Sequence, residues 1–336
     1  MRWRIPHRGG RTTQTLAVHF EHDSIRLVEL RGGAACVVGC ALELPQDDPG
    51  ALREAAARCV ATEAAVALPA SAAVMTHLRL APGTGNDAVP SMLCGHDDAW
   101  ANAELRMATV ATIDGASGPQ RELLCVGIDR SRVMDAAQKL QDAGLAARTL
   151  TTSLFAAMQG FERLQRREDD ELHTTLHVHI EASAVVAAMT HGSRCVLSRA
   201  LRSPGPDGTQ QWQDDGSEAT GECNVDEIER RQEQSPKSLH ALSPVEEASF
   251  APLADELHSC ILHHDAIHPD RSVDRLVFTG EGACDRRACG AIASHVGIPA
   301  FLGDPSKWLG ENRLAVAGPA WAAAAGLCLR PMGDAA

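Results

Sequence analysis

The stretch Leu16-Ala17-Val18-His19-Phe20-Glu21-His22-Asp23-Ser24-Ile25-Arg26-Leu27-Val28-Glu29-Leu30 decides how this chain is read. Apolar and polar residues alternate on both sides of a polar corner, Glu21 to Ser24, which predicts a β-hairpin. The same form returns at Leu176 to Met189, Leu-His-Val-His-Ile-Glu-Ala-Ser-Ala-Val-Val-Ala-Ala-Met. A third strand follows each copy, at Ala35 to Leu44 and at Arg194 to Leu201. Two copies of one unit indicate an internal duplication. The 336 residues are long enough for about two domains.

Between the copies, Pro49 to Thr62 has helical periodicity after an Asp-Pro start, and strands are predicted at Ala65 to Leu68 and Val74 to Leu80. Residues 87–150 read as a small αβ insertion. It has strands at Leu105 to Ile113 and Glu122 to Ile128, a helix Ser131 to Ala143 closed by Gly144, and a strand Ala146 to Thr149. A helix is predicted from Thr151 to Arg167. After the second hairpin, segment 207–247 carries 11 Asp/Glu against 3 Lys/Arg, too polar to offset chain entropy by burial. Order returns with the helix Phe250 to His264, the strand Arg275 to Phe278, the helix Cys284 to His295 and an Ala-rich helix Gly318 to Leu329.

Composition narrows the function. The net charge is −13, and aromatics are 3% with no Tyr. Nucleic-acid binding wants a basic surface and stacking platforms, and neither occurs beyond the first eleven residues. The basic start Met1 to Arg8 is followed by no apolar h-region, so no signal peptide is expected, and no run reaches the ~18 apolar residues of a membrane span. The 11 cysteines show no CxxC pair or dense framework, which points to reduced thiols and a cytoplasmic setting.

Several segments, in order, resemble the PilM family of type IV pilus assembly proteins, within the actin-like superfamily. Ser24-Ile25-Arg26-Leu27-Val28-Glu29-Leu30 is similar to that family's stretch after its first phosphate loop. Val66-Ala67-Leu68-Pro69 with Val74 to Leu80, Leu124 to Ile128 with Val133 to Leu145, and Val273 to Ala283 resemble its later strands, helix and adenosine loop. The resemblance covers most of 14–202 and 250–330. It implies an α/β, actin-like (ribonuclease H-like) two-lobe fold with duplicated mixed-sheet subdomains. The expected division is a basic tail 1–13, a first lobe of 14–86 and 151–172, an inserted αβ subdomain 87–150, a second lobe of 173–202 and 250–330, and an acidic linker 203–249. It further implies a cytoplasmic scaffold of a pilus or secretion machine at the inner membrane face. The implied partner is the N-terminal peptide of a PilN-like inner-membrane protein, held in a groove lined by parts of 65–80 and 105–150.

The family's chemistry is where this sequence departs. A working actin-like ATPase starts each phosphate loop with Asp-hydrophobic-Gly, the Asp organising Mg²⁺ and the Gly letting backbone N–H groups reach the phosphates. Here the Asp positions hold His19 and His179, and the Gly positions hold Glu21 and Glu181. A carboxylate ~4 Å from a phosphate charge costs roughly 4 kcal/mol at an effective dielectric of 20. Imidazole is also a poor Mg²⁺ ligand. The degenerate cleft comprises His19, Glu21, Ser24, His179, Glu181, Ser183, Gly280 and Gly282, with Glu281 between the two glycines. No nucleotide is expected there, ATP with Mg²⁺ being the alternative. Two readings of the His/Glu pairs stand side by side. His19, Glu21, His179 and Glu181 converge on Zn²⁺, with His22 and His177 near by, or the pairs are hydrogen-bonded and hold the lobes together. His258, His263, His264 and His268 read as an exposed helix face.

Overall fold

The computed structural model describes residues 15–31, 37–48, 50–115, 118–162, 172–201, 244–309 and 312–329. The expected tail 1–13 and all but the last residues of the linker 203–249 lie outside them.

The first hairpin is β1 (Thr15–Phe20) and β2 (Ser24–Arg31), antiparallel, with Phe20 opposite Ile25. β3 (Val37–Pro45) pairs with the outer side of β2. The helix α1 (Ala51–Ala56) is shorter than its periodicity predicts. The buried Glu29 carboxylate accepts the N–H groups of Val60 (2.8 Å) and Ala61 (3.1 Å), which holds the following segment outside a helix. β4 (Glu63–Leu68) then joins β1 in parallel, and β8 (Ala146–Thr152) joins β4.

The second sheet repeats this plan strand for strand. β9 (Thr174–Ile180), β10 (Val185–His191), β11 (Arg194–Leu201), β12 (Arg275–Thr279) and β13 (Ala300–Leu302) lie in the order β11-β10-β9-β12-β13. The first sheet reads β3-β2-β1-β4-β8, with the same antiparallel and parallel pairings at each place. The duplication seen in the sequence is therefore a duplication of topology. Central strands β1 and β9 are covered on both faces, so nearly every residue in them is buried.

A third sheet, in the order β5-β7-β6, is wholly antiparallel. It is formed by β5 (Ala73–Leu80), β6 (Ala103–Gly115) and β7 (Gly118–Asp129). With helix α2 (Val89–Cys94) it closes a small core of Leu80, Leu93, Trp100, Leu123 and Cys125. This corrects the expected boundaries 87–150. All eight residues of β5 pair with β7, which satisfies that strand's backbone inside the inserted unit rather than in the first lobe. The helix α3 (Arg130–Asp142), capped by Asp129 accepting the Ser131 N–H at 2.8 Å, buries Ala136 and Leu140 among Leu16, Val18 and Val66 of the first lobe. The insertion is the segment 73–129.

The C-terminal boundary also moves. Helices α5 (Pro244–Ile267) and α6 (Arg286–Val296) cover the second sheet. The last helix, α7 (Ala322–Cys328), crosses back and packs against β1, β2 and helix α4 (Ser153–Glu162) of the first lobe. Small residues make this possible: a Cβ on Gly326 would lie 1.9 Å from the Ala156 carbonyl oxygen, so the two helices approach backbone to backbone. Of the predicted helix Thr151 to Arg167, the described part begins at Ser153 because Thr151 and Thr152 end β8.

Candidate functional site

The two hairpin corners face each other across the lobes. Within each, the His and Glu two residues apart share a face, as strand geometry requires. His19 Nδ1 lies 3.5 Å from Glu21 Oε1, and His179 Nε2 lies 3.2 Å from Glu181 Oε1. All four side chains are buried.

Glu181 belongs to the second lobe but is held by the first. Its two oxygens accept the backbone N–H of Ala70 at 3.0 and 2.9 Å, and it accepts the Ser153 hydroxyl. Burial would raise its pKa, but the donors His179, Ser153 and Ala70 hold the carboxyl below its usual value. His179 is anchored at its other nitrogen by Thr279 Oγ1, 2.9 Å away.

Glu21 is held by a residue that the sequence alone does not single out. Arg26, 3% exposed on β2, contacts Glu21 through one guanidinium nitrogen. Its other terminal nitrogen donates to Glu43 (2.7 Å) and to Glu281 of the second lobe (3.0 Å). Ser24 Oγ donates to Glu21 Oε2 at 2.9 Å. Burial, opposed by Arg26, lifts Glu21 to about 7. Arg26 thus stands as a built-in cation among three carboxylates. A signal was available in the sequence: an Arg flanked by Ile25 and Leu27 inside an apolar strand needs buried partners.

The remaining predicted residues divide. Gly280 (φ 88°) sits hard against β9, where a Cβ would meet the Ile180 carbonyl oxygen at 2.3 Å. Gly282 is buried in the turn leading to α6, and its carbonyl accepts the Asp285 N–H at 3.3 Å. Ser183 stands 3.3 Å from Ser71 Oγ at the cleft mouth. His22 is exposed beside Asp23, and His177 points at Thr190 Oγ1 (3.3 Å) and the Phe161 ring, so neither joins the group. His19 is fully buried, neither ring nitrogen has a hydrogen-bond partner among the described residues, and burial pushes it down to about 3.

A Mg²⁺–nucleotide does not fit this arrangement. The Glu21 and Glu181 carboxylates would repel a phosphate brought to either corner, and the corner N–H groups of Glu21 and Glu181 already donate to Ser24 and Ala184 carbonyls at 2.9 Å. A zinc ion on the four His/Glu side chains fits no better, since Glu181, Glu21 and His179 are engaged by protein partners.

The cleft opens into a groove of about 690 Å³. Its lining combines Phe20, Glu21, His22 and Gln46 beside the first hairpin corner, Ser183 of the second, Leu68, Pro69, Ser71 and Ala72, and residues of α3 that include Arg132, Asp135 and Lys139. Part of this lining falls in the expected ranges 65–80 and 105–150, the hairpin-corner residues and Gln46 lie outside them, and the three-stranded sheet supplies none of it.

The histidines of α5 depart from the expected exposed face. His264 is buried, with Nε2 2.8 Å from His191 Nε2 and Nδ1 3.1 Å from Asp265. His263 faces Glu122 of the inserted unit. The side chains invisible as a set in the sequence (Arg26 with Glu281, Glu181 with Ala70, His263 with Glu122) all join segments far apart in the chain.

The chain has a two-lobed actin-like fold with a buried His/Glu pair at each hairpin corner. No protein-family model and no curated protein matches the sequence. Among solved structures, the PilM-PilN type IV pilus biogenesis complex matches with a TM-score of 0.68 at 16% identity, covering 96% of this chain and 100% of that one. That similarity establishes the shared actin-like fold. The cytoplasmic domain of EpsL, from the type II secretion system of Vibrio cholerae, matches at TM-score 0.41 and 14% identity over 62% of this chain and 79% of that one. EutJ from Carboxydothermus hydrogenoformans matches at 0.45 and 12% identity over 95% and 90%. These last two are too distant to carry an argument.

Proposed function

We propose that this chain is a non-catalytic scaffold of a type IV pilus or type II secretion-like machine, working at the cytoplasmic face of the inner membrane. Its groove receives the short cytoplasmic N-terminal peptide of a PilN-like, bitopic membrane protein. The observation that carries this reading is the groove itself. It runs from the two hairpin corners past Leu68–Ala72 to α3, on a fold similar to that of the PilM-PilN complex. Among the described residues no helix is long and apolar enough to cross a membrane, so membrane attachment is assigned to the partner.

The cleft supports a scaffold over an ATPase. In an actin-like enzyme the nucleotide bridges the lobes; here Glu181–Ala70 and Arg26–Glu281 bridge them instead. The lobes therefore stay closed without ATP, which suits a part whose task is to hold another protein.

The test is a titration of the purified full chain with a peptide copying the cytoplasmic N-terminus of a PilN-like bitopic membrane protein. Saturable one-to-one binding, lost when the groove is filled by Ser71→Trp, is expected. Peptide binding indifferent to that change would overturn the assignment. Micromolar ATP affinity in Mg²⁺ would overturn the nucleotide-free reading independently.

A further inference from the structure

A second constellation lies away from the cleft, where the inserted unit meets the second lobe. The seam is close: Arg194 of β11 donates to the carbonyls of Thr109 (2.8 Å) and Val110 (3.1 Å) on β6. In it, His77 of β5, Glu122 of β7 and His263 of α5 turn toward one point, and their ligand atoms all lie within 4.8 Å of one another.

The spacing suits one small cation. His77 Nδ1 is 3.2 Å and His263 Nε2 is 3.6 Å from Glu122 Oε1. Two ligands on a tetrahedral zinc, each bonded at about 2.0–2.2 Å, stand about 3.3 Å apart. Two imidazoles and a carboxylate are a donor set favoured by zinc and related transition metals. Arg79 Nε holds the other Glu122 oxygen at 3.3 Å, as the outer partner of a ligating carboxylate does. Glu122 is 1% exposed, a costly place for a carboxylate without compensation. His77 Nδ1 is turned onto that carboxylate at 3.2 Å. His263 is exposed, which leaves a way in and room for a water as fourth ligand.

We propose that His77, Glu122 and His263 form a zinc-class metal site that pins the inserted unit to α5 of the second lobe. Without the ion, His77 Nε2 accepts the Ser198 N–H at 3.3 Å, so the ring proton resides on Nδ1. Coordination through Nδ1 moves that proton to Nε2, with no net proton released. Ser198 N–H then loses its acceptor and the ring turns slightly off β11. The metal therefore tightens one seam while freeing one identifiable amide.

The experiment uses the full chain, stripped with chelator and titrated with Zn²⁺ by calorimetry, with Co²⁺ absorption as a probe of coordination. One ion per chain is expected, with a tetrahedral Co²⁺ spectrum. His263→Ala, a partly exposed position that the fold does not depend on, weakens binding at least about 100-fold. His258→Ala, an exposed histidine on the same helix, leaves it unchanged. Zn²⁺ also speeds hydrogen exchange at the Ser198 amide. Absence of saturable binding, binding that survives His263→Ala, or unchanged Ser198 exchange in the zinc form would each overturn the proposal.

Discussion

Glu181, at the corner of the second hairpin, accepts the backbone N–H of Ala70, at the end of the strand leaving the first lobe, at 2.9 and 3.0 Å. This carboxylate ties the second lobe to the first. Replacing it by Ala leaves Ala70 N–H, Ser153 and His179 without their acceptor in a buried place. Glu181→Ala should lower stability by about 3 kcal/mol, read as a shift in the urea midpoint. A loss below about 0.5 kcal/mol would show that the contact is incidental.

Arg26 is expected to matter as much. Arg26→Ala abandons Glu21, Glu43 and Glu281 facing one another. Glu43 and Glu281 are about half exposed and partly screened, so the loss is carried mostly by Glu21. A fall of about 3 kcal/mol is expected. Millimolar Ca²⁺ should restore part of the variant's melting temperature and leave the parent chain unmoved, because only the variant has a vacant cation position among three carboxylates. No calcium effect on the variant would count against convergence of the three groups.

The buried histidines should make stability fall on acidification, against an opposing gain between about pH 7 and 4.5 from Glu21, whose carboxyl is lifted to about 7. Burial holds His19 and His177 down to about 3, and burial followed by the charges of His268 and Arg271 holds His191 at about 4. The unfolded chain takes up these protons near pH 6.5 while the native chain does not, so the unfolded state binds more protons between those values. Stability is then complete above about pH 6.5 and declines as pH drops toward 4, by up to ~1.4 kcal/mol per unit for each such histidine. His177→Asn should flatten the slope between pH 5 and 6.5 by about that amount, measured as urea midpoints across the range. An unchanged slope would mean that His177 protonates in the native state.

The crossing of α7 over α4 sets a sharp steric limit. A Cβ on Gly326 would meet the Ala156 carbonyl oxygen at 1.9 Å, and backbone cannot yield as a flexible side chain does. Gly326→Ala should cost about 3 kcal/mol or more, although alanine is the better helix former. Gly290, on α6 with open space around it, is the control: Gly290→Ala should be neutral or stabilise by about 0.5–1 kcal/mol. Equal melting temperatures for the two variants would contradict the packing described.

Groove occupancy gives a prediction separable from stability. Ser71 is exposed on the groove wall, so Ser71→Trp should leave the melting temperature unchanged while abolishing peptide binding.

Much of the architecture was legible because its signals are local. Alternation across a polar corner marks a hairpin wherever it falls, and Gly144 and Gly297, both at positive φ, end their helices as the residue type allows. Domain boundaries were less legible: Val74 to Leu80 has the same pattern whether it pairs with β4 or with β7. The histidines of α5 looked like a solvated face because nothing nearby in sequence announces Glu122 or His191.

The amino-acid sequence by itself determined the two hairpins, their duplication and the His and Glu two residues apart at the corner of each. Those features rest on residue type and spacing of two to four positions, which the backbone reads directly. Only the tertiary structure decided what these residues do. Glu21 finds Arg26 and, through it, Glu281; Glu181 finds Ala70 and Ser153; His19 finds no partner among the described residues. Those outcomes depend on which segments the packed lobes bring within about 3 Å, the reach of a hydrogen bond. Contacts of that reach between residues more than a hundred positions apart exist only once the sheets have closed on one another.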